Sequence, residues 1–135
     1  MWEFVTADET MDDWKTLFTV IDRPDALTSD QLDRVAEGIL SDYRSRGARI
    51  LASGGTDRYL VVAFDEPAKN RCELNFVKIE LGSPEAVVTT YRVRITDAGD
   101  YRTAANEFMN RNAAEIGRAL GALPLPDIRT LPRRF

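Results

Sequence analysis

The chain contains no histidine among its 135 residues. That absence removes Ser-His and Cys-His nucleophilic sites, the commonest general base, and most zinc sites. It contains one cysteine, Cys72, so no intrachain disulfide can form. Cys72 falls on the apolar side of a strand-like segment and reads as a small core residue rather than a reactive thiol. No apolar run exceeds strand length, so no segment reads as a membrane span. There is no internal repeat, no low-complexity stretch and no signal-peptide pattern. A basic balance is missing too: 22 acidic residues outnumber 18 basic ones, for a net charge of −4. Neutralising phosphates needs the opposite balance, so nucleic acid is not expected as a partner.

What remains is ordinary for one globular domain: 44% hydrophobic and 30% charged residues, enough chain to bury a core without staples. Its clearest segment is a long β-hairpin. The first arm is Cys72–Leu81, the second Ala86–Thr96, and Gly82-Ser83-Pro84-Glu85 turns the chain between them. Both arms are rich in β-branched and aromatic residues, which suit a pleated surface. In the second arm Val87, Thr89, Tyr91, Val93 and Ile95 point one way and Thr90, Arg92 and Arg94 the other. Pairing Leu81 with Ala86 brings Phe76 opposite Tyr91, Leu74 opposite Val93, Cys72 opposite Ile95, and Glu73 opposite Arg94. The open end then buries one face. The tip crowds Val77, Ile79, Leu81 and Val88 onto the other, and a β-bulge near Phe76 would reconcile the two.

Around the hairpin the order reads β-β-α-β-β-β-β-α. Trp2–Val5 and Trp14–Ile21 read as strands. Thr28 with Gln31 forms a capping box, and Leu32, Val35, Ala36, Ile39, Leu40 and Tyr43 fall at helical spacing until Gly47 stops the helix. Ala48–Ser53 and Tyr59–Phe64 are strands joined by a glycine turn. The second is apolar throughout and so covered on both faces. A closing helix spans about Thr103 to Leu120, with a stripe of Ala105, Phe108, Met109, Ile116, Ala119 and Leu120 that Asn112 interrupts. Residues 1–121 thus form one α+β domain, an antiparallel sheet of about six strands covered by two amphipathic helices. Residues 122–135 form a tail with Pro124, Pro126 and Pro132, too apolar to be a free linker and expected to pack on the domain.

No catalytic, metal or cofactor site emerges. The acidic run Asp8-Glu9-Thr10-Met11-Asp12-Asp13 lacks the spacing and glycine of an EF-hand and reads as a solvated loop. Ser53-Gly54-Gly55-Thr56 lacks the lysine and following helix of a P-loop and reads as a hairpin turn. Arg92 and Arg94 project from one sheet face, where they either bridge to Glu73 or receive an acidic partner. Arg133-Arg134-Phe135 reads as a solvated end. Trp14, which flanks the acidic loop together with Trp2, either anchors the core edge or serves as a partner platform. Val77, Ile79, Leu81 and Val88 need cover from the tail or from another chain, protein partner or second copy. The start at Met1-Trp2 suits a cytosolic protein, or an exported one whose leader was removed before Trp2.

The paired strands Trp2–Val5 and Trp14–Ile21, the helix opened by Leu27-Thr28-Ser29-Asp30-Gln31-Leu32, the antiparallel run and the closing helix at Phe108 resemble the PsbP-like α/β/α sandwich. Glu9–Trp14 with Leu17-Phe18-Thr19-Val20 also resembles the start of small bacterial proteins of unknown function. The resemblance implies a bacterial adaptor or chaperone-like binding domain rather than an enzyme. The competing expectation is a ligand-binding protein, or a small histidine-independent enzyme, using a cavity between helix and sheet.

Overall fold

A computed structural model of the chain describes residues 1–54, 58–82, 85–96, 99–125 and 129. Six strands form one sheet: β1 (Trp2–Val5), β2 (Thr16–Arg23), β3 (Arg49–Gly54), β4 (Tyr59–Glu66), β5 (Arg71–Leu81) and β6 (Ala86–Thr96). Two helices complete the fold, α1 (Ser29–Ser45) and α2 (Tyr101–Ala122). The strand order is β1-β2-β6-β5-β4-β3, and every pair is antiparallel. This is the expected α+β class with the expected order of elements.

The β5/β6 ladder keeps the register that alternation predicts, Phe76 opposite Tyr91 and Glu73 opposite Arg94, unbroken from Arg71↔Thr96 to Leu81↔Ala86. The bulge expected near Phe76 is absent from it. The reason is that the helices lie on opposite faces of the sheet. Leu32, Val35 and Tyr43 of α1 pack with Leu60, Val62, Val77, Ile79 and Val88. Tyr101, Ala105 and Leu120 of α2 pack with Val61, Ala63, Cys72, Leu74 and Phe76. The apolar residues change face along β5 because the helix covering them changes. The continuously apolar run of β4 is buried on both sides for the same reason.

Local signals open and close α1. Thr28 accepts from the Gln31 amide, and the Gln31 side chain accepts from the Thr28 amide, a complete capping box that contributes about 1 kcal/mol. Gly47 follows at φ +82°, the left-handed conformation that suits glycine. Burying Leu32 and Val35 beneath α1 stabilises by about 1.5–3 kcal/mol each. The helix α2 starts slightly earlier than expected, at Tyr101, because Asp100 caps it by accepting from the Arg102 amide. Asn112, which breaks the apolar stripe, donates its side-chain amide to the Phe108 carbonyl. At the hairpin tip the Gly82 amide donates to the Glu85 carbonyl, and a Cβ at position 82 would meet that oxygen at 2.7 Å and the Leu125 side chain at 2.9 Å. The start of the tail therefore touches the tip. The tail beyond Leu125, Arg133-Arg134-Phe135 included and Arg129 apart, and part of each glycine turn lie outside the described residues. No helix among the described residues is long and apolar enough to cross a membrane.

Cys72 has no exposed surface. Burial pushes its thiol up to about 11, and the Asp65 charge adds to that against the pull of Arg49. At neutral pH the group is a neutral thiol with no access for a reagent. A disulfide reagent should label it only at the rate of global unfolding. Rapid labelling of the native protein at pH 7 would contradict this placement.

Candidate functional site

The helix α1 packs on its face of the sheet against residues that include Ile79 near the hairpin tip and Phe64 on β4. Its flank lies beside β6 and β2 on that side. Between its flank and those strands runs a groove of about 620 Å³. Arg34, Val35, Gly38, Ile39, Asp42, Tyr43 and Arg46 form the helix wall, and Ile21, Val88, Thr90 and Arg92 lie along the sheet. Helical spacing puts these α1 residues on one flank, and period-two alternation puts Val88, Thr90 and Arg92 on one face.

The polar atoms beneath this groove are short of partners. The Arg92 Nε is buried with no hydrogen bond among the described residues. So are the Oδ1 of Asn75, opposite Arg92 on β5, and the Oγ1 of Thr19, opposite Thr90 on β2. Asn75 is 2% exposed and Thr19 wholly buried. Unpaired buried polar groups cost stability, about 1–3 kcal/mol each and more when charged. A row of three on adjacent strands needs a reason.

The charges around the groove are unequally matched. Arg23 makes a two-pronged bond to Asp25 at 2.9 and 2.8 Å. Arg46 pairs with Asp42 at 3.0 Å and stacks over the Tyr43 and Phe64 rings. Arg34 and Arg92 have no ion pair among the described residues. Burial pushes the Tyr43 hydroxyl up, while Arg92, the Asn75 side chain and Arg46 draw it back. Tyr43 therefore stays a protonated donor at neutral pH.

The expected site residues are dispersed. Val77, Ile79 and Val88 are not a surface awaiting the tail or another chain: α1 buries all three. Val77 and Val88 instead help line the groove. Leu81 stays outside that cover, 43% exposed at the tip. Trp14 is 6% exposed, and the Arg94 guanidinium stacks over its ring at 3.7 Å. Arg94 also donates to the Trp14 carbonyl, so it faces Trp14 where a bridge to Glu73 was one expectation. Only Arg92 stands in the groove. In the acidic loop, the Glu9 carboxylate accepts from the Lys15 and Thr16 amides, and the first of these bonds holds it below the usual range. Asp8 accepts from the Thr6 hydroxyl. Among the described residues no cluster of three or more acidic or cysteine side chains is placed to hold a metal.

The chain matches no family model, no curated protein and no solved structure among those compared. The groove is read from its own chemistry.

Sequence reasoning missed Tyr43, Asn75, Thr19 and Arg34. Tyr43 reads as part of the α1 stripe, which it is. The available signal was Asn75, a polar residue set between Leu74 and Phe76 in a strand otherwise apolar there.

Proposed function

We propose that this chain is a non-enzymatic binding domain whose α1 groove takes a small anionic ligand. The observation that carries the reading is Arg92, a guanidinium in the groove floor whose buried Nε has no hydrogen-bond partner among the described residues. An arginine left unpaired in a half-buried site loses solvation with no return until an anion arrives. Binding rather than catalysis is supported by the shortage of free acid–base groups. Asp25 and Asp42 are held by Arg23 and Arg46, and the only thiol is buried elsewhere. A bacterial, PsbP-like identity belongs to the same proposal and is supported by element order alone.

The test is a titration of the chain with sodium acetate at fixed ionic strength, followed by amide chemical shifts. Thr90 and Arg92 should shift saturably, and Arg92→Met should abolish the saturation. Its stability should hold within about 1 kcal/mol or rise, since an unpaired buried charge is replaced by an apolar chain. An Arg92→Met protein that unfolds would make Arg92 structural and end the reading.

A second reading, docking of a protein partner, is supported by the exposed leucines Leu81, Leu123 and Leu125 where the tail meets the hairpin tip. Under it, Leu81→Asp with Leu125→Asp removes the partner and leaves the acetate titration unchanged.

A further inference from the structure

We infer that the groove takes a ligand with two separated acidic heads, one at Arg92 and one at Arg34, as in a linear dicarboxylate. This rests on Arg92 being an anion site, and it adds a second charge and the distance between the two.

The groove is charged against the chain. Four arginines line it, Arg23, Arg34, Arg46 and Arg92, with two acids, Asp25 and Asp42, a balance of +2 in a protein of net −4. Asp25 is bound to Arg23 and Asp42 to Arg46. Arg34 and Arg92 are left as the unmatched cations of the lining. Beside Arg34, Asp33 is taken by Arg58. Asp30 and Glu37, a turn to either side on α1, do not line the groove and form no ion pair with Arg34 among the described residues. An unpaired arginine on an exposed helix is ordinary by itself. Here it borders the same groove as a second one whose Nε is buried without a partner.

The two guanidinium groups belong to opposite ends. Near the start of α1, Arg58 donates to Ser29 and Asp33. Its carbonyl accepts from the amide of Ile79, which lies opposite Val88. Arg34 follows Asp33 directly and so stands toward Val88. Near the end of α1, Tyr43 is in reach of Asn75 and Arg92, which lie opposite each other on β5 and β6. Four residues of strand from Val88 to Arg92 and nine of helix from Arg34 to Tyr43 each span about 13 Å.

That separation sets the ligand. A guanidinium holds a carboxylate at about 3 Å between nitrogen and oxygen, which leaves roughly 7 Å between the two heads of a bridging molecule. Extended adipate meets that span, and succinate falls short of it. A compact anion reaches one arginine and leaves the other unmatched. Between the ends the lining presents Gly38 and Thr90, which carry no charge, so no third head is called for.

The experiment is a titration of the full chain with acetate, butyrate, succinate, hexanoate and adipate at neutral pH and constant ionic strength, followed by amide and arginine side-chain chemical shifts. Sulfate is the compact dianion. Adipate should bind about three- to fivefold tighter than hexanoate, the gain of one exposed ion pair, and tighter than succinate or sulfate. The Arg34 side-chain signal should move with adipate and stay in place with hexanoate. Arg34 is exposed, so Arg34→Gln should fold as the parent does. It should erase the advantage of adipate and leave acetate unchanged. Arg44→Gln, exposed on the same helix but outside the groove, should alter neither. Saturable acetate binding with no advantage of adipate over hexanoate would overturn this inference and leave the anion site standing. So would an Arg34 signal that adipate does not move, an advantage that survives Arg34→Gln or is equally lost in Arg44→Gln, or succinate or sulfate binding tighter than adipate. No saturation by any of these anions would end both.

Discussion

Phe76→Ala should destabilise the protein by about 3–5 kcal/mol. Phe76 has no exposed surface and is among the largest side chains buried so completely. It lies opposite Tyr91 on one side and Val61 on the other, in the pairings of β5 with both its neighbours. Its ring meets Tyr91 at 6.3 Å between centroids, tilted by 46°. Beneath α2 it belongs with Leu74, Tyr101 and Ala105. Truncation removes the transfer free energy of the ring and leaves a cavity that two hydrogen-bonded neighbouring strands cannot close. Small domains are stable by about 5–15 kcal/mol in total, so the variant should sit near the edge of folding. Urea denaturation should show a lower midpoint with an unchanged slope. A loss below about 1 kcal/mol would mean that α2 does not seal this face.

Lys78→Met should cost about 3 kcal/mol and loosen the end of α2. Lys78 lies two residues along β5 from Phe76 on the same face, but where the covering helix is ending. Its Nζ donates to the carbonyls of Leu120 and Leu123, each at 3.0 Å, and stands 2.8 Å from the Glu80 carboxylate. The last carbonyls of a helix have no partner within it, and a cation there also meets the negative end of the helix. Methionine fills the same volume and supplies none of this. It also leaves Glu80, one of whose oxygens is already buried without a partner. Removing one member of such a pair costs more than removing both. Glu80→Leu added to Lys78→Met should therefore recover part of the loss. Hydrogen exchange should show the change first at the amides of 119–123. Equal protection there in both proteins would refute the capping role.

The β5/β6 register was legible because two long arms alternate and one turn closes them, which leaves few alternatives. The capping box at Thr28 and Gln31 was legible because it is local. The bulge was misread because one face was expected to hold the whole core. The sequence carries two amphipathic helices, yet nothing local says that they take opposite faces. The pairing of β2 with β6 was not legible either, since it joins distant parts of the chain and depends on the sheet as a whole. Arg92 was noticed for its position on the strand. That it lacks an acidic partner is a fact of packing: Glu73 is one register step away, opposite Arg94 rather than Arg92. Tyr43 could not be told from a core residue, because it is one, with only its hydroxyl turned to polar company.

The β2–β6 seam has a kinetic consequence. Strands β3 to β6 pair with sequence neighbours, whereas β2 must close a long loop before Arg23 meets Ala86 and Thr16 meets Val93. Loop closure of that kind slows assembly. The N-terminal hairpin of β1 and β2 should dock onto an already formed β3–β6 sheet, and one wall of the groove arrives with it. The groove should thus be the last part of the molecule to be completed and the first to open when β2 detaches. A ligand held there should slow hydrogen exchange along the β2–β6 ladder more than anywhere else.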